Sequence, residues 1–167
     1  AEVDGEGFKL SGQKVCVPYA AAATKVLVSA SSDAGLGLFL VDPNAAGVTL
    51  EKQETTAHER QFVMTLDGVS VGADDVLATP GQGEEIFDWL EPRAVTALAA
   101  IAVGVAGEGL RQTAEYTSER KQFGRAIGSF QGVSLRAADA YIDVEAMRST
   151  MWQAAWRIDN GDPAVKQ

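Results

Sequence analysis

The chain has 167 residues, with 23 acidic against 14 basic side chains and 46% apolar residues. That length accommodates one ordinary domain or two small ones around a sizeable core. The net charge of −9 argues against general binding to nucleic acid or to an anionic membrane, because such partners need a positive face; any anion site must be local. No uncharged run reaches the roughly 18 residues that cross a bilayer, and the apolar stretch 94–106 reads as a buried helix. The single cysteine, Cys16, excludes an internal disulfide and suits a reducing cytoplasm. Inside an apolar alternating run it is predicted to be a small core or pocket-wall residue in preference to a nucleophile. His58 lies in the polar stretch 54–61 and is predicted in a loop, with no metal site expected. A start without methionine that runs straight into strand-like sequence suggests a fragment, or a processed or partly ordered product.

Residues 1–80 read as β structure. Short apolar or alternating runs at 7–10, 13–17, 25–30, 36–41, 48–52, 61–66 and 69–71 are bounded by Gly, Pro, Asn or Asp, the punctuation of strands. Asp4-Gly5-Glu6-Gly7, Ser11-Gly12, Asp42-Pro43-Asn44 and Asp67-Gly68 supply the backbone conformations that hairpin turns need. From Glu84 the period becomes helical. A short turn is predicted over 84–90, and Pro92 suits an early position of a long helix reaching about Arg120, since proline is tolerated in a first turn. Gly104, Gly107 and Gly109 each cost roughly 1 kcal/mol relative to Ala inside a helix, which points to close approach of another helix or a ligand.

A second helix over about 130–159 places Val133, Ala137, Ala140, Tyr141, Val144, Met147, Met151, Ala154, Ala155 and Ile158 in one broad apolar stripe. Asn160-Gly161-Asp162-Pro163 stops it. Trp152 and Trp156, four apart, are predicted to pack between helices. The class is α+β: a small antiparallel sheet or barrel domain over 1–80, then long antiparallel helices over 84–167. Two such helices alone leave apolar surface wet, so further partners are expected.

Between the helices, 119–131 carries Arg120, Lys121 and Arg125 within six residues and glycines at Gly124 and Gly128. Guanidinium groups grip phosphate oxygens bidentately, and N–H groups at the start of the next helix add partial positive charge. An anion site in a helix corner and a solvated basic turn both satisfy this spacing.

The run Glu119-Arg120-Lys121-Gln122-Phe123-Gly124, followed by Phe130-Gln131, resembles the signature region of the acyl-CoA dehydrogenases, flavoproteins that desaturate acyl-CoA thioesters. Asp67-Gly68-Val69-Ser70-Val71 looks like the end of that family's middle β-domain, and Arg148 with Ala154-Ala155-Trp156-Arg157-Ile158-Asp159 looks like its next helix. The resemblance covers almost the whole chain but only part of the family's usual length. It implies a middle β-domain followed by the first two helices of a C-terminal four-helix bundle, and assembly as dimers of dimers. It also implies that Arg120 pairs with the pyrophosphate of a neighbouring subunit's FAD, that Gln122 and Phe123 line the same cofactor, and that Phe130 and Gln131 border it. Relatives place a Trp-Ile-Thr segment beside the flavin ring; the matching Cys16-Val17-Pro18 departs from it, because proline has neither N–H nor hydroxyl to donate.

The family's base is a carboxylate near its C-terminus or, in some members, at the start of the first bundle helix. Aligning Arg93 with a family arginine puts Pro92 at that second place and leaves Glu91 one residue away, about 100° around a helix. A first-turn acid favoured by the helix dipole accounts for Glu91 equally. Arg93 is implied to meet a CoA phosphate or substrate carbonyl, or else to pair with Asp88 or Glu91. The resemblance leaves two functions. One is full FAD-dependent dehydrogenation of an acyl-CoA with electrons passed to an electron-transferring flavoprotein or to oxygen. The other is a non-catalytic subunit that completes the FAD site of a hetero-oligomeric partner, similar to paired actinobacterial subunits acting on steroid-type CoA esters.

Overall fold

The structure, a computed structural model, describes residues 1–162; Pro163, the last residue of the predicted helix stop, lies outside them. The elements are β1 (Glu2–Asp4), β2 (Gly7–Pro18), β3 (Val26–Ser32), β4 (Gly35–Val41), β5 (Val48–Gln53), β6 (Gln61–Val71), β7 (Val76–Ala78), α1 (Gly83–Glu119), β8 (Lys121–Gln122), β9 (Arg125–Ala126) and α2 (Gln131–Asp159). The class is α+β, and the chain divides into two compact units, Ala1–Asp88 and Trp89–Gln167.

In the first unit a four-stranded sheet, β1-β2-β6-β5, and a three-stranded sheet, β3-β4-β7, are antiparallel throughout. Their inner faces share one core of Leu10, Val28, Phe39, Val41, Met64, Leu66, Val69 and Val71. Phe8 meets Phe39 edge to face at 5.2 Å between ring centroids. Two predicted turns are corrected. Ser11-Gly12 and Asp67-Gly68 do not reverse the chain; they form one bulge inside the long strands β2 and β6, where Asp67 and Gly68 together oppose Ser11 between the pairs Leu10↔Val69 and Gly12↔Leu66. The inward positions therefore change from 64 and 66 to 69 and 71, since one extra residue moves every later side chain to the other face. Gly68 takes φ +58° at the bulge, and its N–H donates to Ser11 Oγ at 3.1 Å.

In the helical unit, α2 runs close to its predicted bounds. The turn predicted over 84–90 is instead helix, and Pro92 lies inside α1, not at its start. A helix begins where its first-turn partners allow, and Gly83 precedes two acids, Glu84 and Glu85, that suit an N-terminus. Among the apolar positions of the pair only Val103 and Val144 are buried, at 3% and 6% exposure. Gly107 faces α2, where an added Cβ would stand 3.6 Å from Arg148 Nη2, whereas Gly104 and Gly109 face open space.

The expectation of a buried helix over 94–106 is also corrected. Leu98 is 64% and Ile101 62% exposed, and Val105 is exposed with them, on the side of α1 opposite Ala99 and Val103. By length and composition alone α1 could cross a bilayer. Leu135, Ile142 and Trp156, spaced at sevens or multiples of seven, form a second exposed apolar row on α2. Trp152 and Trp156 thus do not pack between the two helices, and Tyr141, 100° away from Ala140, stands outside the stripe.

Candidate functional site

The stretch after α1 is a small hairpin where a simple helix corner was predicted. Arg120 N–H closes the last turn of α1 on Tyr116 O at 2.8 Å, and Ile127 N–H returns to Arg120 O at 2.8 Å. Between them β8 pairs with β9 through Lys121↔Ala126 and Gln122↔Arg125. The two-residue turn is Phe123-Gly124, with φ of 52° and 78°, the doubly left-handed turn that matches strand twist. Asn-Gly is the usual sequence for it, so Phe-Gly gives no hairpin signal. A 3-10 turn, Ile127–Ser129, leads into α2, and Gly128 is needed there because a Cβ would stand 3.1 Å from Thr117 O.

This geometry gathers the residues picked out by sequence. Phe123 is 92% exposed and meets Phe130 edge to face at 6.2 Å. The Arg125 guanidinium lies 4.1 Å from the Phe130 ring centroid, a cation–π contact that sequence reasoning missed. Arg120, Lys121, Gln122 and Gln131 are exposed, and none makes a side-chain hydrogen bond or ion pair among the described residues. In a chain of net charge −9, three cations and two unengaged amides meet at one end of a helix pair. These donors fit a diphosphate, and the exposed ring fits a flat heterocycle.

The ring-side segment is different. Cys16 is exposed, not a core or pocket-wall residue, because β2 carries a second bulge there. Val15 and Cys16 together oppose Val63 between Lys14↔Met64 and Val17↔Phe62, and Cys16 takes φ 55°. Its N–H donates to Gln53 Oε1 at 2.8 Å. Pro18 is exposed and Val17 half-buried, while Tyr19 N–H donates to Arg60 O at 2.7 Å. The main-chain donors at Cys16 and Tyr19 are used within the chain and Pro18 has none, so this segment does not fit the edge of a flavin ring. Gln53, 37 residues from Cys16, carries no sequence signal.

Glu91 is exposed and lines an apolar groove of about 980 Å³ between α1 and α2 with Pro92, Val95, Met147, Met151 and Ala154. Arg93 donates to Trp89 O at 2.6 Å and stacks its guanidinium 3.9 Å from the Trp89 ring centroid; it borders a separate groove with Trp152.

Residues 93–167 match the family model described as acyl-CoA dehydrogenase, C-terminal domain. Acyl-CoA dehydrogenase FadE27 of Mycobacterium tuberculosis is 39% identical over 163 residues, covering 98% of this chain and 43% of that protein. Among solved structures, the Tcur3481-Tcur3483 steroid ACAD superposes with a TM-score of 0.84 at 43% identity, covering 95% of this chain and 42% of that one. The ChsE4-ChsE5 complex from Mycobacterium tuberculosis superposes with a TM-score of 0.87 at 37% identity, covering 93% and 42%. The chain is a member of the acyl-CoA dehydrogenase family, and it spans less than half the length of these relatives.

Proposed function

We propose that the protein takes part in FAD-dependent α,β-dehydrogenation of an acyl-CoA thioester, and that the hairpin of this chain completes a flavin site across an interface between chains. The observation that carries this reading is Phe123, a large aromatic residue 92% exposed on a backbone of φ 52°. Such conformations cost of order 1–3 kcal/mol and persist where function uses them. In this reading Arg120 grips the FAD diphosphate bidentately, Gln122 and Gln131 donate to neighbouring oxygens, and Phe123 and Phe130 flank the flat part of the cofactor. When bound, the flavin supplies the acceptor for the substrate's β-hydride. Glu91, at the apolar groove, is this chain's own candidate for the carboxylate that takes the α-proton, and Arg93, steadied by Trp89, is its candidate contact for the CoA ester.

The resemblance to FadE27 and to two paired complexes supports a lipid or steroid-type acyl-CoA substrate, a hetero- or homo-oligomeric dimer of dimers, and α1 as a bundle helix. An electron-transferring flavoprotein as acceptor and a cytoplasmic location complete the proposal. We read 1–80 as the middle β-domain and 84–167 as the first part of the helical bundle. A second reading, in which this chain completes its partner's FAD site and holds no flavin ring itself, is favoured by Pro18 and by the engaged Cys16 N–H.

Arg120→Ala in the full-length assembly tests the hairpin. Loss of a charge-assisted contact of about 1.5–3 kcal/mol weakens FAD retention roughly 10- to 100-fold and leaves the circular dichroism unchanged. Flavin content that survives gel filtration at the wild-type level sinks the role assigned to Arg120.

A further inference from the structure

An unpaired bulge N–H is a natural place for a ligand to accept a hydrogen bond, because the sheet ladder leaves it free. The β2 bulge does not offer one. In the order β1-β2-β6-β5, β6 separates β5 from β2, yet the side chain of Gln53, at the end of β5, reaches past β6 to accept the Cys16 N–H at 2.8 Å. Its backbone pairs with Gln61, which also pairs with Pro18, so Gln53, Gln61 and Pro18 form one rung across the sheet. The oxygen assignment is chemically forced, since an N–H needs an acceptor and the Gln NH₂ is only a donor. Around this bond the ledge presents exposed Val15, Cys16, Pro18 and Tyr19, and the Tyr19 N–H is also used, on Arg60 O. The N5 and carbonyl edge of a flavin ring accepts hydrogen bonds, and an apolar ledge with its donors turned inward leaves that edge unpaired at a cost of about 1–3 kcal/mol per group.

We propose that Gln53 is a positioning residue that closes the β2 bulge, so that the β unit of this chain carries no flavin ring and a complex with a related partner holds one flavin per pair of chains. The proposal rests on the dehydrogenase reading and separates the two chains' roles: this chain gives the hairpin, and its partner gives the ring platform.

The test uses the full-length complex of this chain with its co-purifying partner. Flavin is counted by absorbance against native mass, and amide exchange at Cys16 is followed with FAD bound and stripped. The expected result is one flavin per pair and Cys16 exchange that is the same with and without FAD. Gln53→Leu speeds that exchange tenfold or more without loss of flavin, while Gln53→Glu, which keeps an acceptor oxygen, retains protection. The proposal is overturned by one flavin per chain, by FAD slowing Cys16 exchange more than threefold, or by flavin loss in Gln53→Leu. Arg120→Ala run in parallel reports on the hairpin alone: full flavin retention there sinks the dehydrogenase reading, while Cys16 exchange still decides the ledge.

Discussion

The two units treat apolar surface in opposite ways. In the β unit, residues from four strands close a continuous core in which Phe39 has 0% exposure. In the helical unit only Val103 and Val144 are buried, although both helices are rich in apolar side chains. A sheet pair can satisfy its inner faces by stacking on itself, whereas two helices with apolar rows on opposite sides cannot. The β unit is therefore a finished body, and the helix pair is part of a larger assembly. The candidate site follows the same division, with the engaged ledge on the finished unit and the unengaged hairpin donors on the open one.

The largest test of this contrast is Phe39→Ala. Truncating a fully buried aromatic costs about 3–5 kcal/mol, and chemical denaturation followed by circular dichroism of the strands reads the loss. A cost below about 1 kcal/mol means the β core is not the closed body described. Next, the double change Leu98→Ser with Ile101→Ser alters the stability of the 167-residue chain by less than about 0.5 kcal/mol, as exposed positions do. In the full-length assembly the same pair lowers the native mass. An unchanged native mass there shows that this face of α1 has no partner.

The smallest effect comes from the surface of α1. Arg111 donates from Nε and Nη2 to both oxygens of Glu108, at 2.8 and 2.7 Å, and also pairs with Glu115. The Arg111 hydrogen bond, followed by that from Gln112, holds the Glu108 carboxyl down to about 2 from its ordinary 4.5. A carboxyl depressed in the folded state adds stability above its unfolded value, and that stability is lost as pH falls through the folded one. The thermal midpoint of the helical unit thus falls between pH 4.5 and 2, less so in Glu108→Gln and less in high salt. A midpoint with the same pH profile in Glu108→Gln removes the pairing from the account.

Much of the architecture is legible from pattern. Alternation marks β4 and β5 within a residue or two, and the apolar stripe marks α2 from Val133 to Ile158. The hairpin residues are also legible as a group, because Arg120, Gln122 and Phe123 are close in the chain. The Ser11-Gly12 and Asp67-Gly68 pairs mislead, since a glycine that permits a turn also permits a bulge. Cys16 misleads for the same reason: a bulge inverts the facing that strict alternation assigns. Pro92 is misplaced by pattern because proline inside a long helix and proline at its start look alike when no cap residue marks the boundary.

Local chemistry in the sequence therefore determined the α+β class, the positions of strands and helices, and the cluster of cations after α1. These are properties of residues near one another in the chain, where propensity and period act directly. Only the tertiary structure decided that Gln53 takes the Cys16 N–H, that Phe123 stands in a left-handed turn with its ring in solvent, and that α1 keeps an apolar face uncovered. Each of these depends on which segments meet across the fold, and an amino-acid pattern does not specify its own partner.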